Sequence, residues 1–249
     1  MKRARCRQVA LSVALTLTTV ACLVGVASPA FAGACGADGP TSRFLGWGNW
    51  GSPTYLIEGV SAVMTAEPAN LCTGSVPFNL YSAWVMLANS DGKSGYAQAG
   101  FFRIAGGSQV AYAEWNQFGD GNYFRTYGSI VANGQSNRYW VQYDPASNWL
   151  WMNFETTRIS HSGFPLFGAG ATWTAPFAHE DLGEIKYLAS TMPGTVAAPV
   201  VWSDLRIESY SNTWSSIPDP YLTRHAPNQD PTHWKTAAIS PTSVKIWEQ

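Results

Sequence analysis

The stretch Arg138-Tyr139-Trp140-Val141-Gln142-Tyr143-Asp144, then Pro145-Ala146-Ser147-Asn148, then Trp149-Leu150-Trp151-Met152-Asn153-Phe154-Glu155, decides the fold. On both sides of a turn-forming segment the residues alternate with a period of two, the pattern of a β-hairpin with one buried face. One face takes Tyr139, Val141, Tyr143, Leu150, Met152 and Phe154 and belongs in a core. The other takes Trp140, Gln142, Trp149, Trp151 and Asn153, which sets flat apolar surface beside amide groups. A groove lined this way suits a sugar chain or an extended peptide, because both present apolar patches next to polar edges. The competing reading packs these tryptophans beneath the C-terminal residues.

Runs of the same aromatic and β-branched character recur at 55–66, 78–88, 96–104, 109–118, 185–189 and 197–207. Turn signals separate them: Ser90-Asp91-Gly92, Gly106-Gly107, Gly119-Asp120-Gly121 and Pro193-Gly194. Twelve Trp, 11 Tyr and 11 Phe, with 23 Gly and 15 Pro as punctuation, favour strands over helices. The expected fold is all-β: an antiparallel two-sheet β-sandwich, concanavalin- or jelly-roll-like, over residues 33–209. Residues 210–249, rich in Ser, Pro, Asn and Thr with Trp214, Trp234 and Trp247 among them, read as an irregular tail packed on the sandwich. Residues 33–52 read as either the start of a strand or a mobile arm.

The N-terminus reads as an export signal over residues 1–32. Lys2, Arg3, Arg5 and Arg7 precede an apolar run from Val9 to Val26, and Ala30-Phe31-Ala32 supplies small residues for cleavage. Removing it lowers Lys+Arg from 15 to 11 against 16 Asp+Glu, a formal charge near −5. A chain of that charge offers no basic face for nucleic acid. No later stretch approaches the roughly 20 apolar residues that span a bilayer, so a secreted, extracellular and monomeric product is expected. Cys6 and Cys22 leave with the signal, and Cys35 and Cys72 are expected to pair in an oxidising compartment.

The familiar catalytic signals are missing. The sequence contains no Gly-x-Ser-x-Gly, His-Glu-x-x-His, Cys-x-x-Cys or phosphate-cradling glycine loop. His161, His179, His225 and His233 lack metal-ligand spacing, so neither metal nor cofactor is expected. Glu58, Glu155 and Asp204 are further strand carboxylates whose convergence the sequence does not specify.

One segment carries a different chemistry. Ser82-Ala83-Trp84-Val85-Met86-Leu87, Tyr96-Ala97-Gln98-Ala99-Gly100-Phe101 and Tyr112-Ala113-Glu114-Trp115 together resemble the glutamic peptidases, the eqolisins. That family carries a Trp-Val-Gly-Ile strand, a Leu-Gln-x-Gly strand with the catalytic glutamine, and a Tyr/Trp/Glu-rich strand after it. The resemblance, over about half of the mature chain, sets Gln98 on the catalytic glutamine and Trp84 on the tryptophan beside it. The family's Ala-Glu-Trp-Ile-x-Glu segment corresponds to His179-Glu180-Asp181-Leu182-Gly183-Glu184, so either Glu180 or Glu184 matches the catalytic glutamate. The chain departs from the family at Met86-Leu87-Ala88-Asn89, where the family reads Gly-Ile-Asp-Gly, and at Phe102, which replaces a polar position.

The resemblance implies a secreted hydrolase of peptide bonds. A glutamate acts as general base on the attacking water, and the glutamine amide positions that water and donates to the oxyanion. Trp84, Glu114, Trp115, Trp140, Trp149 and Trp151 are the expected substrate contacts, with an extracellular polypeptide or polysaccharide as partner. The alternative is a lectin-like module that binds glycan or cell-wall polymer without turnover. A two-residue turn at Gly106-Gly107 would set Gln98 opposite Trp115 and turn Glu114 away, whereas an odd-length connection would set Glu114 opposite Gln98. The two-residue turn is the one expected.

Overall fold

Alternating inner and outer side chains build two antiparallel sheets, seen in a computed structural model that describes residues 34–35, 43–49, 57–74, 79–89, 95–116, 123–162, 177–187, 189–209, 212–217, 223–225 and 234–249. The strands are β1 (Arg43–Asn49), β2 (Ile57–Ala66), β3 (Leu80–Asn89), β4 (Tyr96–Ile104), β5 (Val110–Asn116), β6 (Tyr123–Ile130), β7 (Gln135–Asp144), β8 (Trp149–Phe154), β9 (Thr157–His161), β10 (Phe177–Ile185), β11 (Val200–Ser209), β12 (Thr213–Ser216), β13 (Thr223–His225), β14 (Trp234–Ser240) and β15 (Ser243–Glu248). A seven-stranded sheet has the order β13-β1-β10-β3-β4-β5-β6, and an eight-stranded sheet has β14-β15-β11-β2-β7-β8-β9, with β12 paired to β11.

Small and large side chains alternate on the two inner faces and interlock. The seven-stranded sheet offers many small side chains, Ala83, Ala97, Ala99, Ala111 and Ala113, while the other offers Met64, Tyr139, Met152 and Trp202. Large groups against small ones fill the space between sheets at interior density. Trp202 also ties the layers by donating its indole N–H to the Trp84 carbonyl at 3.1 Å.

The expected hairpin pairs Val141 with Met152 and Tyr139 with Phe154, and its aliphatic face lies in the core. The run at 96–104 is β4, and the other runs fall on β2, β3, β5, β11 and the last residue of β10. The C-terminal residues differ from expectation: the described residues of 210–249 include four strands, which join both sheets, so this part of the chain is built into the sandwich. Their polar content suits strands such as β12 and β14, with largely uncovered outer positions.

Cys35 and Cys72 form the expected disulfide, with Cα atoms 5.0 Å apart. Around it the Cys72 N–H donates to Ser190 Oγ at 2.9 Å, and Asn79 Nδ2 donates to the Cys72 carbonyl at 2.8 Å. The export segment lies outside the described residues. Among the described residues no helix is long and apolar enough to cross a membrane.

Candidate active site

With Ala83, Val85, Ala97, Ala99, Ala111 and Ala113 committed to the core, strand alternation turns Ser82, Trp84, Met86, Gln98, Gly100, Tyr112 and Glu114 to the outer face of the seven-stranded sheet. Register then decides which of them meet. Gln98 pairs with Met86 on one side and Glu114 on the other, Glu114 pairs with Arg125, and Met86 pairs with Glu180. One row across five strands therefore reads Glu180, Met86, Gln98, Glu114, Arg125. Two strand spacings separate the backbones of Gln98 and Glu180, roughly 10 Å.

This corrects the expected turn. Pairing of β4 with β5 closes at Phe102 and Val110, leaving an odd-length connection over 103–109, and Gln98 faces Glu114 rather than Trp115. Trp115 points into the core, where it belongs to the main apolar cluster and stacks on Phe124 at 4.2 Å between ring centroids. It does not wall the outer face.

The Gln98 side chain is only 4% exposed. Its Nε2 donates to the Tyr112 hydroxyl at 2.9 Å and to Glu114 Oε1 at 3.4 Å. Glu114 is itself saturated: Tyr96 donates to Oε1 at 2.6 Å, and Arg125 donates to Oε2 through Nε at 2.6 Å and through a terminal nitrogen. Burial and then the Glu114 charge push the Tyr96 and Tyr112 phenols well above their usual range, so both stay protonated donors. A carboxylate held by a guanidinium and a phenol is a fixed anchor for the amide, not a free base.

Glu184 lies elsewhere on the same face. It pairs with Ser82 in register, receives the Ser82 hydroxyl at 3.3 Å and forms an ion pair with Lys186 at 2.8 Å. Tyr112 also hydrogen-bonds Ser82, so a polar chain runs from Gln98 through Tyr112 and Ser82 to Glu184. Gly100 sits between Trp84 and Tyr112, and a Cβ there would stand 1.9 Å from the Ala83 carbonyl oxygen, so only glycine fits the approach of β3. Trp84 packs with Met86, Ala88 and Tyr96 and forms the floor of the face rather than a projecting surface.

The other three tryptophans lie on the opposite outer face, that of the eight-stranded sheet, and each has a neighbour. Trp149 stacks on His161 at 4.8 Å, the Arg158 guanidinium lies 3.3 Å over Trp151, and Trp140 meets Trp214 edge-on at 6.3 Å. They do not share a surface with Gln98. The anchoring residues Tyr96, Tyr112, Arg125 and Ser82 were not foreseen as site residues. The spacing Tyr123-x-Arg125-x-Tyr127 was the available signal, since it puts a cation and two phenols on one face of a strand. Among the described residues no group of three or more His, Cys, Asp or Glu could hold a metal ion.

No protein-family model matches the chain, and no curated protein matches it either. Among solved structures it is similar to Scytalido-glutamic peptidase carrying a peptide-based transition-state analogue, with a TM-score of 0.57 and 16% identity over 84% of this chain and 100% of that one. It is similar to the same degree to SCP-B, a member of the eqolisin family of peptidases in complex with the tripeptide Ala-Ile-His, with a TM-score of 0.57, 16% identity, and 84% and 100% coverage. At that identity the likeness is one of fold.

Proposed function

We propose that this chain is an exported hydrolase of peptide bonds, working by the glutamic mechanism on a polypeptide laid across the outer face of the seven-stranded sheet. The row that puts Glu180 and Gln98 on either side of Met86 carries the reading. Glu180 takes the proton of a water as its oxygen attacks the scissile carbonyl, and the Gln98 amide donates to the oxygen that gains charge. The protonated Glu180 then returns the proton to the departing amine, so no covalent intermediate forms. Before substrate arrives both Nε2 hydrogens of Gln98 are held, by Tyr112 at 2.9 Å and by the longer contact to Glu114 at 3.4 Å. The Glu114 contact is the one given up as the amide turns that N–H to the oxyanion, with Tyr112 keeping its position. Glu184, committed to Lys186 and Ser82, supports the face instead of supplying the base.

The signal-like N-terminus and the Cys35–Cys72 disulfide support an extracellular place of action. The test is hydrolysis of denatured protein by the purified chain at acidic pH, beside Gln98→Ala and Glu180→Gln. Each variant is expected to lose roughly a hundredfold or more in kcat/KM. Cleavage by both variants at the parent rate would sink the proposal.

A further inference from the structure

The outer face of the eight-stranded sheet carries a second polar hollow, far from Gln98 and unused by the mechanism above. It encloses about 280 Å³ and is lined by Ser61, Arg138, Trp140, Gln142, Arg206 and Trp214. We infer that it binds a hexopyranose bearing a carboxylate, a uronic acid unit of an acidic polysaccharide, with the ring against the two tryptophans and the carboxylate on Arg206.

Two irregularities in adjacent strands build the hollow. The β2–β11 register shifts once between Glu208 and Ser209, where Glu58 is the extra residue, and again between Ser203 and Arg206, where the extra residue is on β11. In that second bulge Asp204 adopts φ 48°, a left-handed conformation costly for a non-glycine residue. The strained aspartate serves two cations: its Oδ2 takes a terminal nitrogen of Arg138, and its Oδ1 takes Arg206 Nε at 2.9 Å. One carboxylate is thus shared between two guanidinium groups. Arg206 is bound through Nε, and its side chain is 46% exposed, so the terminal nitrogens of its fork are presented to an incoming carboxylate.

The apolar walls are Trp140 and Trp214, whose planes stand at 86°. Trp214, Glu208, Gly59 and Gln142 form one cross-strand row. A Cβ at Gly59 would lie 2.8 Å from the Trp214 ring and 2.9 Å from Glu208 Oε2, so the missing side chain is what lets the ring lean over the sheet. Beneath it Glu208 is 2% exposed, its Oε1 receives Gln142 Nε2 at 2.8 Å, and its Oε2 has no hydrogen-bond partner among the described residues. An unsatisfied buried acceptor is uncommon in a native fold, and a sugar hydroxyl is the kind of donor that would satisfy it.

Flat aromatic walls over hydroxyl, amide and guanidinium groups match a sugar ring, with its apolar face and its polar edge. A polypeptide fits less well. The strands under the hollow, β11, β2 and β7, are paired on both sides there, so its floor has no edge for an added strand. β12, which carries Trp214, pairs only with β11 among the described residues, and the tripeptide below tests that edge.

The test is titration of the purified chain with trigalacturonate, followed by tryptophan fluorescence and calorimetry, beside its methyl ester, cellotriose and a tripeptide with a free C-terminal carboxylate. Saturable binding of trigalacturonate is expected, weakened about tenfold or more by esterification, by Arg206→Gln and by Trp214→Ala. Arg206 is exposed, so its substitution leaves the fold intact, as an unchanged melting temperature should verify. Equal binding of the ester or cellotriose, undiminished binding by Arg206→Gln, capture of the tripeptide alone, or no binding at all would each overturn the inference. Gln98→Ala is expected to bind trigalacturonate like the parent, which separates this outcome from failure of the peptidase reading.

Discussion

Gln98 and Glu114 face each other across the β4–β5 hairpin, and the amide of one donates to the carboxylate of the other at 3.4 Å. Because Glu114 also holds Tyr96 and Arg125, it is the hub on which the orientation of Gln98 depends. Its removal leaves a largely buried guanidinium without its counter-charge. Glu114→Ala is therefore expected to destabilise the chain by about 3 to 5 kcal/mol in urea denaturation. Arg125→Met should cost a similar amount, and the double substitution clearly less than the sum of the two.

Met86 occupies the gap between Gln98 and Glu180, where the glutamic peptidases read glycine. Met86 is buried in the small cluster with Trp84 and Ala88, and on the proposed mechanism it stands in the row between the two catalytic groups. Met86→Gly is expected to raise kcat/KM toward a protein substrate about tenfold, mostly through KM. Opening the small Trp84–Met86–Ala88 cluster should at the same time lower stability by roughly 2 kcal/mol or more. A fall in both quantities would mean that Met86 shapes the productive site.

Much of the fold was legible because the core-facing strands alternate cleanly: β4 lies where its aromatic run does, and the β7–β8 hairpin has the expected faces. Strands without an apolar period were not legible. β6 is exposed at nearly every position, and β10 begins with the sequence Phe177-Ala178-His179-Glu180-Asp181, which does not alternate. The register error at Gln98 has a tertiary cause. A turn closes one residue early, with the Gly107 N–H donating to the Ile104 carbonyl at 3.0 Å. The rest of the 103–109 connection bonds outward, Ala105 N–H to the Asn79 carbonyl, Val131 N–H to the Gln109 carbonyl and Tyr81 hydroxyl to Gln109 Oε1, so the two glycines do not close a two-residue hairpin. Local turn chemistry does not contain those partners. The Asp204 bulge was equally hidden, since neither residue type nor spacing announces an aspartate at positive φ.

The disulfide closes a sequence separation of 37 residues, which in the chain-entropy account stabilises the native state by about 4 kcal/mol. Reduction, or the Cys35→Ser and Cys72→Ser pair, is expected to lower the urea midpoint accordingly. The sandwich should persist in far-ultraviolet circular dichroism, because the β2–β11 and β3–β4 pairings do not depend on the bridge. Loss of all β signal at room temperature on reduction would contradict this.

Glu208 makes stability depend on pH in a direction opposite to that of an ordinary surface carboxylate. Burial raises its carboxyl from 4.5 to about 7, with Gln142 opposing and the Glu58 charge adding to the rise. The folded state thus holds a proton between those two values that the unfolded chain has released, and stability present below pH 4.5 is lost as pH climbs through 7. A shift of that size corresponds to roughly 3 kcal/mol. Thermal melts of the parent at a series of pH values should show a falling midpoint across this window, and Glu208→Gln, which carries no charge to bury, should flatten the slope. A parent midpoint that rises from pH 4.5 to 7, or a variant with an unchanged slope, would place the titration on another group.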